Sequence, residues 1–146
     1  MPTVHESDVL RVFFDSSAFV KRYVGEAGSE SVLEWCDRAS EIALSAIALT
    51  EIISAFRRLS REGRIDDTQY RRLKALLRAD IEDVVICDLT PAVLAQAIST
   101  LETSALRAMD AIHIGSALAV KTDLFVSADQ RQLEAASRAG LRVEAA

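Results

Sequence analysis

The sequence predicts an α/β fold, a three-layer α/β/α sandwich around a central parallel five-stranded sheet. Two observations carry this. Short β-branched runs alternate with longer helical patterns along the whole chain. Strand, helix, strand, repeated, builds a parallel sheet with helices on both faces. There is also no Pro/Gly/Ser-rich linker, low-complexity tract or repeat, so residues 1–146 are expected to form a single domain.

The elements follow in order. "VLRVFF" (9–14), "IALS" (42–45), "DVVIC" (83–87), "LFVS" (124–127) and "LRVE" (141–144) read as strands. About two helices, near 16–24 and 29–38, separate the first two. Ile52, Phe56 and Leu59, with Leu49 and Ile53 beside them, mark a helix over 46–61 that Gly63 breaks. Asp66 can cap the next helix, where Tyr70, Leu73 and Leu77 share a face. Thr90 and Pro91 are a cap and first-turn pair for a helix over 91–102. The segment 106–121 is almost wholly apolar and is expected to be a buried helix. A last helix near 130–139 stops at Gly140.

Composition narrows the class. Half the residues are apolar and 27% are charged, as in soluble globular proteins. No apolar run reaches the roughly 18 residues of a membrane span, and the N-terminus lacks the basic and apolar regions of a secretion signal. Cys36 and Cys87 form neither a CxxC nor a zinc spacing, and free thiols in a reducing cytoplasm are expected. Net charge is −5, which does not advertise a nucleic-acid binder. Residues 57–78, however, hold eight bases against three acids. That segment is +5 and the remainder −10. It reads as solvated helix faces or as a surface for phosphates or an acidic partner.

Four acids stand in expensive places. In parallel α/β sheets the chemistry gathers outside the carboxyl ends of the strands. Asp15 ends the first strand and Asp129 follows the fourth. Glu51 lies in the first turns of the helix after the second strand. Asp110 is the only acid in the nearly all-apolar helix before the fourth. Helices antiparallel to their strands place both at the same edge. Each has an innocent reading: Asp15 and Asp129 can cap helices, Glu51 can pair with Arg58, and Asp110 with Arg107 or His113. Together they would repel one another, and a bound cation relieves that repulsion. An all-oxygen site favours Mg²⁺ or Mn²⁺. Zinc is disfavoured, since only His5 and His113 are available, and His113 reads as a core or supporting residue. Such a site suits hydrolysis of a phosphodiester without a Ser, Cys or His nucleophile.

With these residues assembled, the chain resembles the PIN-domain nucleases, and most of all the VapC-type toxins of toxin–antitoxin pairs. "FFDSSAFVKRYVGE", "SAIALTEIISAFRRL", "LRAMDAIHIGSALA" and "LFVSADQRQLEAASRAGLRV" are similar to the family's four acidic motifs, in order. The resemblance implies a PIN-like fold and an Mg²⁺- or Mn²⁺-dependent endoribonuclease. It implies Asp15, Glu51, Asp110 and Asp129 as metal-binding and catalytic acids. Ser127 stands as a supporting hydroxyl, and Ser16 or Ser17 orients Asp15. It further implies an RNA substrate cut to 3′-hydroxyl and 5′-phosphate ends, a homodimer, a cognate antitoxin and a cytoplasmic location. The alternative is a non-catalytic PIN-fold module that binds RNA or protein. A receiver-like phosphoryl-transfer enzyme using Asp15 or Asp88 lacks the acidic pair after the first strand and a lysine at the last.

Overall fold

A computed structural model describes residues 9–146. Residues 1–8, His5 among them, lie outside the described residues. Five strands form one sheet: β1 (Arg11–Phe14), β2 (Glu41–Ser45), β3 (Val85–Cys87), β4 (Leu124–Ser127) and β5 (Val143–Ala145). Every pairing is parallel, in the order β3-β2-β1-β4-β5. Seven α-helices cover it: α1 (Ser16–Phe19), α2 (Ser29–Arg38), α3 (Ala48–Arg61), α4 (Asp67–Ile81), α5 (Pro91–Thr103), α6 (Ala108–Ala119) and α7 (Gln130–Arg138). The expected first helix, 16–24, is two pieces: α1 is one turn and continues as a 3-10 turn over Val20–Arg22.

Strand alternation sorts the side chains into two cores, which makes the three layers. Val12, Phe14, Leu44, Leu124 and Val126 face one way and meet Phe19, Val32, Ile52, Phe56 and Leu77 from α1 to α4. Phe13, Ala43 and Phe125 face the other way and meet Ile114, Ala117, Leu133 and Ala136 from α6 and α7. Phe13 and Phe125 stack with centroids 5.7 Å apart. Helix α5 is an outer element lying on α6, where the Gly115 backbone fits against Val93 and Ala97.

Local chemistry sets the helix ends. Asp66 and Gln69 form a complete capping box at the start of α4. Thr90 Oγ1 accepts from the Val93 N–H at 3.2 Å, with Pro91 at the first helical position. Gly140 follows α7 with φ of +99°, the left-handed stop expected of it, and Gly63, expected to break α3, follows it with φ of +71°. Arg22 Nε and Tyr23 Oη both donate to Asp80, at 2.9 and 2.6 Å, and tie the end of α4 to the 3-10 turn.

Strand order reverses at β1. The chain goes from β1 out to β2 and β3 on one side, and later returns to β4 and β5 on the other. The crevice outside the carboxyl ends of β1 and β4 is therefore the topological switch point.

Candidate active site

Asp15 and Asp129 sit at that switch point because their strands end there. The Asp15 N–H donates to the Val126 carbonyl at 3.1 Å, so β1 and β4 finish together. Asp15 is only 3% exposed. It caps α1, accepting from the Ala18 N–H at 2.9 Å and from Ser17 Oγ at 2.7 and 2.9 Å. Burial pushes its carboxyl above the ordinary range, against the opposing pull of His113 and of these hydrogen bonds. Asp129 caps α7, accepting from the Arg131 N–H at 2.9 Å and the Gln132 N–H at 3.4 Å.

The other two acids are delivered by helix first turns. Glu51 lies on the opening turn of α3. Its Oε1 accepts from Ser16 Oγ at 2.7 Å and faces His113 Nε2 at 2.6 Å. An ionised carboxylate only accepts, so the imidazole hydrogen belongs on Nε2. The ring is 2% exposed, edge-on to Phe13, and its Nδ1 is buried with no partner among the described residues. Burial alone would raise the Glu51 pKa. The bonds from His113 and Ser16 outweigh it, and the net direction is down.

Asp110 lies on the first turn of α6, partly exposed, and its carboxylate makes no hydrogen bond among the described residues. Burial raises its pKa first, and the neighbouring Asp129 and Glu51 charges raise it further. His113 and Arg107 only partly oppose them. All four acids therefore stand at the carboxyl end of the sheet.

They do not close into a cage. Among the described residues no three His, Cys, Asp or Glu side chains are gathered as a metal ligand set. Glu51 lines a depression of about 500 Å³ with Ser16 and Ser17. Asp110 and Asp129 line another of about 730 Å³ with Arg107 and Arg131. The physical reason is local: Asp15 and Asp129 are held on their own helices as caps, and Glu51 is held by His113. The donor chemistry nevertheless fits a hard divalent cation. The groups are carboxylates, and Asp110 carries like-charge repulsion that a cation would cancel.

The supporting hydroxyls have definite partners. Ser17, not Ser16, bonds Asp15, while Ser16 serves Glu51. Ser127 is buried. Its Oγ donates to Gln132 Oε1 at 2.7 Å and accepts from the Asp129 N–H at 3.0 Å. Gln132 Nε2 in turn donates to the Asp110 carbonyl at 3.2 Å. This fully buried glutamine thus bridges the start of α6 to the end of β4, and sequence reasoning missed it. The available signal was Asp129-x-x-Gln132, a capping-box spacing whose glutamine is used sideways.

A parallel sheet with four acids at its switch-point edge defines an α/β protein of the acidic-site kind. A family model described as PIN domain matches residues 12–138, and the chain belongs to that family. The chain is 33% identical over 138 residues to Ribonuclease VapC45 of Mycobacterium tuberculosis (strain CDC 1551 / Oshkosh), covering 90% of this chain and 93% of that one. Ribonuclease VapC49 of Mycobacterium tuberculosis (strain ATCC 25618 / H37Rv) matches to the same extent. Among solved structures, DNA-bound VapBC from Salmonella typhimurium superposes with a TM-score of 0.69 at 15% identity, covering 94% and 98% of the two chains. The sarcin-ricin loop cleaving toxin VapC20 of Mycobacterium tuberculosis gives 0.65 at 18% identity, covering 89% and 95%. These structural likenesses speak to the fold.

Proposed function

We infer that the chain is a divalent-cation-dependent endoribonuclease, one PIN domain acting as the toxin of a toxin–antitoxin pair. The observation that carries this is Asp110, an unbonded carboxylate at the switch-point edge, its pKa raised by burial and then by the charges of Asp129 and Glu51. The relatives at 33% identity, both named ribonucleases, support the reaction class. VapBC assemblies among the structural neighbours support an antitoxin partner.

Asp15, Asp110 and Asp129 would hold Mg²⁺ or Mn²⁺, with Glu51 beside them. When bound, the ion would supply positive charge for the scissile phosphate and acidify the attacking water. The protein's own part is positional. His113 and Ser16 occupy Glu51 Oε1, so Oε2 is left to accept a hydrogen bond from that water. Ser17 and the Ala18 N–H fix Asp15, and Gln132 sets α6 against β4 so that Asp110 keeps its distance from Asp129. The placing of Glu51 in one depression and of Asp110 and Asp129 in another favours the second reading, a binding module without catalysis. Incubation of the purified protein with total RNA separates the two. New 5′-phosphate ends that appear with Mg²⁺ and vanish with EDTA are the expected result. RNA left intact with both Mg²⁺ and Mn²⁺ would leave the binding module standing.

The reading includes a second copy of the chain. Leu94, Ile98 and Leu101 recur at helical spacing along the outer face of α5, and Ile98 is 57% exposed. That helix carries no base and one acid, Glu102. An uncharged apolar stripe on an outer helix suits a self-complementary two-fold contact. Ile98→Glu is expected to convert a dimer to a monomer in analytical ultracentrifugation, with circular dichroism unchanged. A wild-type monomer at micromolar concentration would refute the dimer.

A further inference from the structure

The basic segment 57–78 takes no part in the site as described, and the structure shows where it points. Three side-chain ion pairs form among the described residues, Arg11–Glu41, Arg22–Asp80 and His113–Glu51, and none uses a base of this segment. Arg57 lies over the Tyr70 ring. Arg58, Arg64 and Arg72 are exposed, and their guanidinium groups make no hydrogen bond or ion pair among the described residues. All three line depressions. Arg58 and Arg64 lie in the one that opens at Ser16 and Glu51, between the 3-10 turn and α3. Arg72 lies in a second, between the 3-10 turn and α4. Val24 lines both, so the two depressions adjoin, and a path from one to the other crosses that residue. Arg58 is seven residues beyond Glu51 on α3, about 10 Å along the helix axis.

We propose that this path, from Glu51 past Arg58 and Arg64 to Arg72, binds the sugar-phosphate backbone of single-stranded RNA on one side of the cleaved bond. The proposal rests on the nuclease reading and extends it from the reacting centre to the flanking strand. Charge decides for RNA. A chain of net −5 that gathers +5 on one hairpin and leaves those arginines unpaired keeps cations for an outside anion. Arginine offers phosphate a two-pronged, permanently charged donor. The path begins at Ser16 and Glu51, beside the reacting centre, so a strand lying across that centre runs onto the arginines, whereas Glu26 and Glu62 on the same wall repel any anion and leave the arginines to draw it in. Interactions of this kind position the strand without reading its bases.

The test is binding of a mixed-sequence single-stranded oligoribonucleotide in EDTA, over a range of KCl, by fluorescence anisotropy. The wild type is compared with Arg58→Gln/Arg64→Gln/Arg72→Gln and with Arg142→Gln, an exposed base beyond β4. Removing one arginine–phosphate interaction should lower the slope of log K against log[salt] by about 0.7, so the slope of the triple variant should fall by about 2. Its affinity at low salt should fall roughly tenfold or more, with its thermal midpoint unchanged and Arg142→Gln like wild type. Equal slopes for the triple variant and wild type would overturn the proposal. So would low-salt RNA affinity of the triple variant equal to that of wild type. Cation-dependent cleavage in Mg²⁺ is scored in parallel. Cleavage with unchanged slopes sinks only the path, whereas a reduced slope with no cleavage by wild type keeps the path and sinks the nuclease.

Discussion

Asp110→Asn is expected to reduce RNA cleavage by about 10²- to 10³-fold, the loss that follows removal of one preorganised electrostatic group. Its melting temperature at neutral pH is expected to hold or rise. The two effects have one cause. The Asp110 carboxylate is partly desolvated, faces the charges of Asp129 and Glu51, and makes no hydrogen bond among the described residues that asparagine would forfeit. Its backbone carbonyl still receives Gln132 Nε2. Asparagine keeps the shape and removes the charge that the fold resists and that the reaction needs. The pH dependence has a definite sign. The folded pKa lies above the ordinary 3.8, so ionisation is harder in the folded state. The favourable state is fully present below that ordinary value and is lost as pH rises through the folded pKa. The gap in melting temperature between variant and wild type, measured in EDTA, should therefore be smallest near pH 4 and widest at pH 7. A variant that melts lower at pH 7 and recovers at pH 4 would refute the repulsion. One that cleaves at the wild-type rate would refute the assignment of Asp110.

Much of this arrangement was legible in the sequence. The strand alternation at Val12, Phe13 and Phe14 already divides the two cores, because a strand's period of two admits one assignment to each face. The edge position of Asp15 and Asp129 follows from where their strands stop. What stayed open depends on side-chain direction across distant segments. Ser16 and Ser17 are neighbours in a one-turn helix, and only the three-dimensional path of α1 shows which meets Asp15 and which meets Glu51. His113 reads as a core residue on an apolar helix, and it is one. Its second role needs α6 and α3 to meet, an interaction between residues 62 apart in the chain. The capping reading of Asp15 and Asp129 and the edge-site reading also turn out to be compatible. Asp129 caps α7 and still lines a depression beside Asp110, whereas Asp15 caps α1 and is buried. The tight fourfold convergence expected of the acids is not formed among the described residues, where Asp15 and Asp129 are held as caps of their own helices and Glu51 is held by His113.

Gly115→Val is expected to be the most damaging single change outside the acids, at about 3 kcal/mol of stability. Glycine in the middle of a helix is ordinarily a weak point, costing roughly 0.8–1.0 kcal/mol relative to alanine. By that rule Gly115→Ala would stabilise α6. The packing reverses the sign. A Cβ at this position would stand 2.6 Å from the Val93 carbonyl oxygen and 3.1 Å from the Ala97 nitrogen, and both are backbone atoms of α5. No rotamer change moves a helix backbone, so α5 and α6 must part. Alanine should therefore destabilise despite its better propensity. Valine adds two methyl groups to the same collision and should lower the melting temperature by about 6–12 °C, at roughly 2–4 °C per kcal/mol for a chain of this size. Function should suffer with stability, because Asp110 and His113 ride on the same helix, and a tilt of α6 moves both relative to Glu51. Trimming a side chain offers no escape. Gly115→Val/Ala97→Gly should melt no higher than Gly115→Val, since the 2.6 Å approach is to the Val93 backbone. Thermal melts of the three variants decide the matter, and an alanine variant that melts above wild type would show that the two helices can separate at little cost.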